Sequence, residues 1–248
     1  MSPTFKMLTK TIGLLLTIPL SLSITCPPNQ DCILDCGKMN NCSDTSINAE
    51  SASSLSILCN GYSNCYNTII NCPLSKECNI VCNQTYACQQ TSINSVGGSI
   101  NNTAGSMTLT CIGHASCYFP IITAPYISTF NASIGYIWSD RTNHVQNIQY
   151  VKEVNIKCNG YCGNVNFNAR NAGNITLLCS GSNACDTLTF EAQNTDNFYV
   201  SCIGSSACDS MVLNATNAGF VSLYASGNCT LIYVLHKKFC FSQFTVKN

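Results

Sequence analysis

From about residue 26 to residue 230 the chain alternates apolar and polar positions with a period of two, and the alternation restarts about every 23 residues. Leu55, Ile57 and Cys59 occupy alternate positions, as do Ile175, Leu177 and Cys179, and Phe198, Val200 and Cys202. A shorter alternation follows each break rich in Gly, Asn and Ser: Val165, Phe167 and Ala169, then Leu188, Phe190 and Ala192, then Met211, Leu213 and Ala215. Helical spacing of apolar residues is absent. Each unit is therefore predicted to hold two short, half-buried strands separated by turns.

The repeat is clearest in Ile175-Thr-Leu-Leu-Cys179-Ser-Gly-Ser-Asn-Ala-Cys185 and Phe198-Tyr-Val-Ser-Cys202-Ile-Gly-Ser-Ser-Ala-Cys208. With the first cysteine of each copy as anchor, the series runs Cys36, Cys59, Cys82, Cys111, Cys158, Cys179 and Cys202. Two gaps are filled by Ile134, preceded by Phe130 and Ala132, and by Ala225 at the end of Val221-Ser-Leu-Tyr-Ala225. The spacings become 23, 23, 29, 23, 24, 21, 23 and 23, and the one long step contains Gly97-Gly98 and Asn101-Asn102, which reads as a loop insertion.

A unit of this size cannot bury its own apolar face, but stacked on copies of itself it can, each strand pairing in parallel with its equivalent one coil on. The fold class expected is all-β: a single-stranded parallel β-helix solenoid of about nine coils of ~23 residues, wound right-handed because parallel crossovers favour that hand. A leucine-rich-repeat horseshoe would need Leu-x-x-Leu-x-Leu ladders and a helical limb, and the chain has neither.

Twenty cysteines change the picture from a bare solenoid to a stapled one. Eight pairs share the spacing C-x5-C: Cys26/Cys32, Cys36/Cys42, Cys59/Cys65, Cys72/Cys78, Cys82/Cys88, Cys111/Cys117, Cys179/Cys185 and Cys202/Cys208; Cys158/Cys162 is shorter, and Cys229 and Cys240 remain. Cys72 falls in the slot of Ala192 and Ala215, and Cys78 in that of Ile175 and Phe198. Residues that enter and leave together are best explained by a bond between them, so sequential pairing within each coil is expected, in place of pairing between adjacent coils. Zinc is disfavoured by the spacing and by only three histidines, His114, His144 and His236.

The ends and the charge bear on compartment. Lys6 and Lys10 followed by the apolar run Thr11 to Ile24, about 14 residues where a span needs roughly 20, read as a secretory signal over 1–23 with cleavage after Ser23. Repeats are then expected over 24–228, with residues 229–248 as a C-terminal cap, closed by Cys229 and Cys240 and including Leu231, Val234, Leu235, Phe239 and Phe241, or as a truncated end. Loss of 1–23 leaves 9 basic against 11 acidic residues, with arginine only at Arg141 and Arg170, so no basic footprint for nucleic acid exists. Membrane contact is expected only through an uncleaved signal or a missing C-terminal segment. An even, dense cysteine set in a translocated chain reads as disulfides. N-glycosylation is expected at Asn83, Asn101, Asn131, Asn174 and Asn214, with Asn41 and Asn228 disfavoured by a central Cys.

Little in the chain suggests catalysis. Asp186 and Asp209 each follow the second cysteine of a coil and would stack one strand spacing apart; as a cation or acid/base pair they lack a basic partner or third acid, and the preferred reading is two solvated turn residues. The histidines share no register. The cysteine-free coil over roughly 125–153, with Tyr136 and Trp138, reads as a degenerate repeat before it reads as a binding surface. Asn48, Asn71, Asn94, Asn168 and Asn214 recur at one position and predict an asparagine ladder.

Cys-x-Gly-x-x-[Ala/Ser/Asn]-Cys preceded by alternating apolar residues resembles the cysteine-rich right-handed, pectin-lyase-like β-helix repeats of secreted and surface proteins in unicellular eukaryotes, over about residues 26–230. The resemblance implies a secreted or cell-surface protein, with a C-terminal membrane segment in some members, and it brings no catalytic residues or cofactor. The expected function is that of a non-enzymatic structural, adhesive or surface-coat protein, a glycosylated rod whose partners are extracellular glycans or surface proteins. The alternative is a polysaccharide-binding or polysaccharide-degrading β-helix protein.

Overall fold

A computed structural model describes residues 22–39, 42–95, 97–99, 103–118, 120–135, 137–138, 145–226, 232–234, 237–239 and 243–247. Two strands per coil stack into two long sheets. The sheet of longer strands runs Asp31–Asp35, Ser54–Cys59, Glu77–Cys82, Ser106–Cys111, Thr129–Ile134, Glu153–Cys158, Asn174–Ser180, Asn197–Ile203 and Phe220–Ser226. These nine are parallel to one another. Nine stacked strands enclose eight full turns, and at the usual strand spacing they make a rod of about 40 Å. The second sheet carries the shorter strands, from Leu22–Thr25 and Thr45–Asn48 to Met211–Asn214.

Register follows the anchors. Cys82 pairs with Cys111, Cys111 with Ile134, Ile134 with Cys158, Cys158 with Cys179, Cys179 with Cys202 and Cys202 with Ala225. The two anchors without cysteine thus sit where the alternation put them. A one-residue slip would turn every apolar side chain outward, so burial of one face holds this register. The inward columns are buried throughout: Leu55, Met107, Phe130, Ile175 and Phe198 in one, Ile57, Ile80, Leu109, Leu177 and Val200 in the next. Phe167 stacks on Phe190 at 5.6 Å, and Phe190 meets Phe198 of the other sheet at 5.2 Å, closing the core across the rod. Each such side chain contributes roughly 1.5–3 kcal/mol on burial.

Among the described residues nine disulfides close two different corners. Cys36–Cys42, Cys59–Cys65, Cys82–Cys88, Cys111–Cys117, Cys158–Cys162, Cys179–Cys185 and Cys202–Cys208 bridge the turn from the long strand to the short one. Cys26–Cys32 and Cys72–Cys78 bridge the return turn. Cys229 and Cys240 lie outside the described residues. The glycine of the repeat has its reason at the first corner: a Cβ on Gly113 would lie 2.4 Å from the Gln84 carbonyl carbon of the coil below, and Gly204 has a φ of +126°.

The cysteine-free coil is repaired by a side chain. Gln146 takes an inward slot beside Phe167 and is 1% exposed. Its Oε1 accepts from the Ile122 N–H at 2.7 Å and its Nε2 donates to the Pro120 carbonyl at 2.8 Å. The strand Val145–Asn147 pairs with Ile121–Thr123 only at Asn147–Thr123, so the glutamine amide replaces the backbone partner that the ladder lacks there. At the far end the parallel series stops: Gln243–Lys247 adds antiparallel to Phe220–Ser226, and Ile232–Val234, itself parallel to Met211–Asn214, pairs antiparallel with Lys237–Phe239. At the near end Leu22–Thr25 pairs with Thr45–Asn48, so a cut after Ser23 would leave only its last two residues.

Two outcomes check this packing. Cys72→Ala combined with Cys78→Leu, residues of the kind that fill these slots in other coils, is expected to keep the fold while losing about 2 kcal/mol of loop constraint, a Tm drop of about 4–8 °C in a circular dichroism melt. Gln146→Leu is expected to cost more, about 2–5 kcal/mol in denaturant unfolding, because it strands a buried donor and a buried acceptor.

Candidate functional site

The solenoid presents its side chains in columns, so any site must be assembled from residues one coil apart. The asparagine register is present and longer than expected, but coil-to-coil amide bonding along it is partial: the Asn147 and Asn168 Oδ1 atoms are buried without a hydrogen-bond partner. Thr25, Asn48, Asn71, Asn94, Thr123, Asn147, Asn168, Glu191 and Asn214 stand in one register along the outer side of the short-strand sheet. Asn94 Nδ2 donates to Asn71 Oδ1 at 3.0 Å, and Asn214 Nδ2 donates to Glu191 Oε2 at 3.0 Å. Asn147 belongs to the column but lies in the coil without cysteines, where no second cysteine marks the position. Arg170 is ion-paired to Glu191 at 3.3 Å, which holds the one acid of the column against a cation.

Other amide ladders run beside it. Asn171, Asn194 and Asn217 link Nδ2 to Oδ1 at 3.1 Å per step, each in the left-handed backbone region that asparagine tolerates. Asn197 donates to Asn174 at 2.7 Å and Asn155 to Asn131 at 3.1 Å. Neutral amides can repeat along a stack because each offers a donor on one side and an acceptor on the other. A column of like charges could not, which is the physical reason for a chain only 9% charged.

Asp186 and Asp209 are brought onto adjacent coils, both half-buried, with the Thr187 N–H donating to the Asp209 carbonyl at 2.9 Å. Burial, and next the neighbouring Asp209 carboxylate, push the Asp186 carboxyl above its ordinary value of 3.8, against the Thr187 amide, which lowers it. No cation contributes to that shift. The arrangement is two like charges in a turn.

Sulfur atoms crowd at the bridged corner: those of Cys59, Cys82 and Cys88 lie within 4.8 Å of one another, as do those of Cys82, Cys111 and Cys117. Every one of these sulfurs is in a disulfide, which leaves no thiolate to coordinate a metal. His114 is exposed on the Cys111–Cys117 turn, whereas His144 and His236 lie outside the described residues.

Four of the expected glycosylation positions can be placed. Asn174 is exposed, while Asn83, Asn131 and Asn214 are half-buried. Asn131 and Asn174 use Oδ1 in their ladders, which leaves the nitrogen that a glycan would take outside those bonds. At Asn214 that nitrogen is the one donating to Glu191. Asn101, with Asn41 and Asn228, lies outside the described residues. No protein-family model, curated protein or solved structure matches the chain, so the resemblance to cysteine-rich solenoid repeat proteins rests on the motif and the architecture alone.

The aspartate pair yields a signed expectation. A carboxyl whose folded pKa is raised loses stabilisation as pH rises through that pKa, so at neutral pH the pair opposes folding. Asp186→Asn is expected to raise Tm at pH 7 by less than about 4 °C, with the gain vanishing in melts below the ordinary carboxylate range.

Proposed function

We propose that the protein is an extracellular structural or adhesive rod, a glycosylated spacer or coat element of a cell surface or matrix. The observation that carries the reading is the coincidence of nine disulfides along one continuous parallel stack with outer columns of Asn, Ser and Thr. Disulfides of this density fit an oxidising compartment, where they substitute for the limited core of a narrow rod. Neutral hydrogen-bonding faces keep such a rod hydrated without the charge that would fix it to nucleic acid or anionic lipid. Secretion, glycan attachment and membership of the resembled repeat group belong to this proposal.

Polysaccharide degradation is the weaker reading: Asp31, Glu77 and Glu153 share a register but stand two or more coils apart, and the acids on adjacent coils, Asp186 and Asp209, adjoin without a cation contributing to set one as acid and the other as base.

The native protein in its source cells tests the rod. Antibody labelling of unpermeabilised cells or of the medium is expected to find it outside the cytosol, endoglycosidase is expected to lower its apparent mass, and alkylation before reduction is expected to leave the cysteines of the repeats unmodified. A cytosolic protein with alkylatable repeat thiols would end the proposal.

A further inference from the structure

We infer that the turn edge of the N-terminal coils carries a binding site for a neutral pyranose oligosaccharide, centred on Tyr62 and Tyr86. A cleft of about 520 Å³ opens there, lined by Tyr62, Ser63, Tyr86, Gln89, His114 and Tyr118 together with Ala115. This volume lies within the range of small-molecule sites, and the cleft spans three successive coils. The Tyr62 and Tyr86 rings meet edge to face, their centroids 5.6 Å apart and their planes at 88°, so they form two walls of a corner.

Three observations separate this corner from an ordinary surface. The first is exposure: Tyr62 is 70% exposed on a turn that has no packing use for it. The equivalent positions in later coils are Ser182 and Ser205, whose hydroxyls meet at 3.3 Å, so the turn closes equally well around a small polar residue. The second is side-chain size. Tyr86 stands in a column otherwise filled by Ser63, Ala115, Asn183 and Ser206, all in the same left-handed turn conformation, so this coil alone places a large ring where the others carry small polar or methyl side chains. The third is anchoring. Cys59–Cys65, Cys82–Cys88 and Cys111–Cys117 close the three turns that bear the lining residues, and the Tyr86 N–H donates to the His114 carbonyl while the Ser63 N–H donates to the Thr85 carbonyl. The walls are therefore held before any ligand arrives, which lowers the ordering cost of binding.

The chemistry of the lining selects the ligand class. Aromatic faces accept the axial C–H face of a pyranose, while the Ser63 hydroxyl, the Gln89 amide and the tyrosine hydroxyls can exchange hydrogen bonds with equatorial hydroxyls. Among the described residues no carboxylate, lysine or arginine lines the cleft, so it holds no fixed charge to select an acidic sugar. The site goes beyond the rod role and does not depend on it, since a spacer that binds no saccharide remains a spacer.

Isothermal titration of the full chain with cellohexaose, chitohexaose and laminarihexaose, with oligogalacturonate as the anionic comparison, tests the site. At least one neutral hexasaccharide is expected to bind saturably. Tyr62→Ala is expected to weaken that binding about tenfold with an unchanged melting curve, Tyr62→Phe to retain most of it, and Tyr199→Ala, which removes an exposed tyrosine on another face, to leave it intact. As a readout independent of the variants, ring resonances of Tyr62 and Tyr86 are expected to shift on titration. The proposal fails if none of the three neutral probes binds at millimolar concentration. It also fails if oligogalacturonate binds better, or if binding survives Tyr62→Ala unchanged.

Discussion

The structure depends on one constraint: a coil of about 23 residues has no complete core of its own and acquires one only when its strands lie in register with the coils on either side. Parallel pairing supplies the backbone partners, and the same register places each inward side chain on its counterpart. Cys179 on Cys202 and Leu177 on Val200 express a single alignment. Because side chains alternate faces, that alignment cannot slip by one residue without turning the core outward. Everything else in the molecule is either a consequence of this stacking or a repair to it.

The disulfides and the outer ladders are consequences. A narrow rod buries less apolar surface per residue than a globule, and short bridges at the corners restrict the unfolded chain to compensate. On the outside, identical positions recur one strand spacing apart, where like charges would repel. Asparagine solves this by bonding to itself, as between Asn71 and Asn94 and along Asn171, Asn194 and Asn217. The exceptions are instructive: Glu191 enters the asparagine column only beside Arg170, and Asp186 with Asp209 shows the electrostatic penalty of an unrelieved pair.

Gln146 is the repair. Where the loop and strand pattern around Pro120 removes ladder bonds, a buried amide supplies one donor and one acceptor from inside the core. The cysteine-free coil is thereby a functioning member of the stack and not a break in it. Tyr86 departs from the pattern in the other direction, since it places a large ring in a column that Ser63, Ala115, Asn183 and Ser206 fill in other coils. The rod interior has no need of that ring, which meets Tyr62 edge to face at the outer corner.

The amino-acid sequence by itself determined the repeat length, the strand alternation, the anchor positions including Ile134 and Ala225, the coming and going of Cys72 with Cys78, and the asparagine register at Asn48, Asn71, Asn94, Asn168 and Asn214. These are one-dimensional facts, because a solenoid translates position along the chain directly into position along the rod. Only the tertiary structure decided what lies between coils: that Asn147 joins the asparagine column, that Gln146 completes a ladder, that Arg170 meets Glu191, and that Tyr62, Tyr86, His114 and Tyr118 share one cleft. Those relations join residues one or two coils apart whose offsets vary with loop length and with the fine geometry of each corner. A period read along the chain aligns the coils, but the contact of two side chains depends on which way each turn carries them, and that is settled by packing.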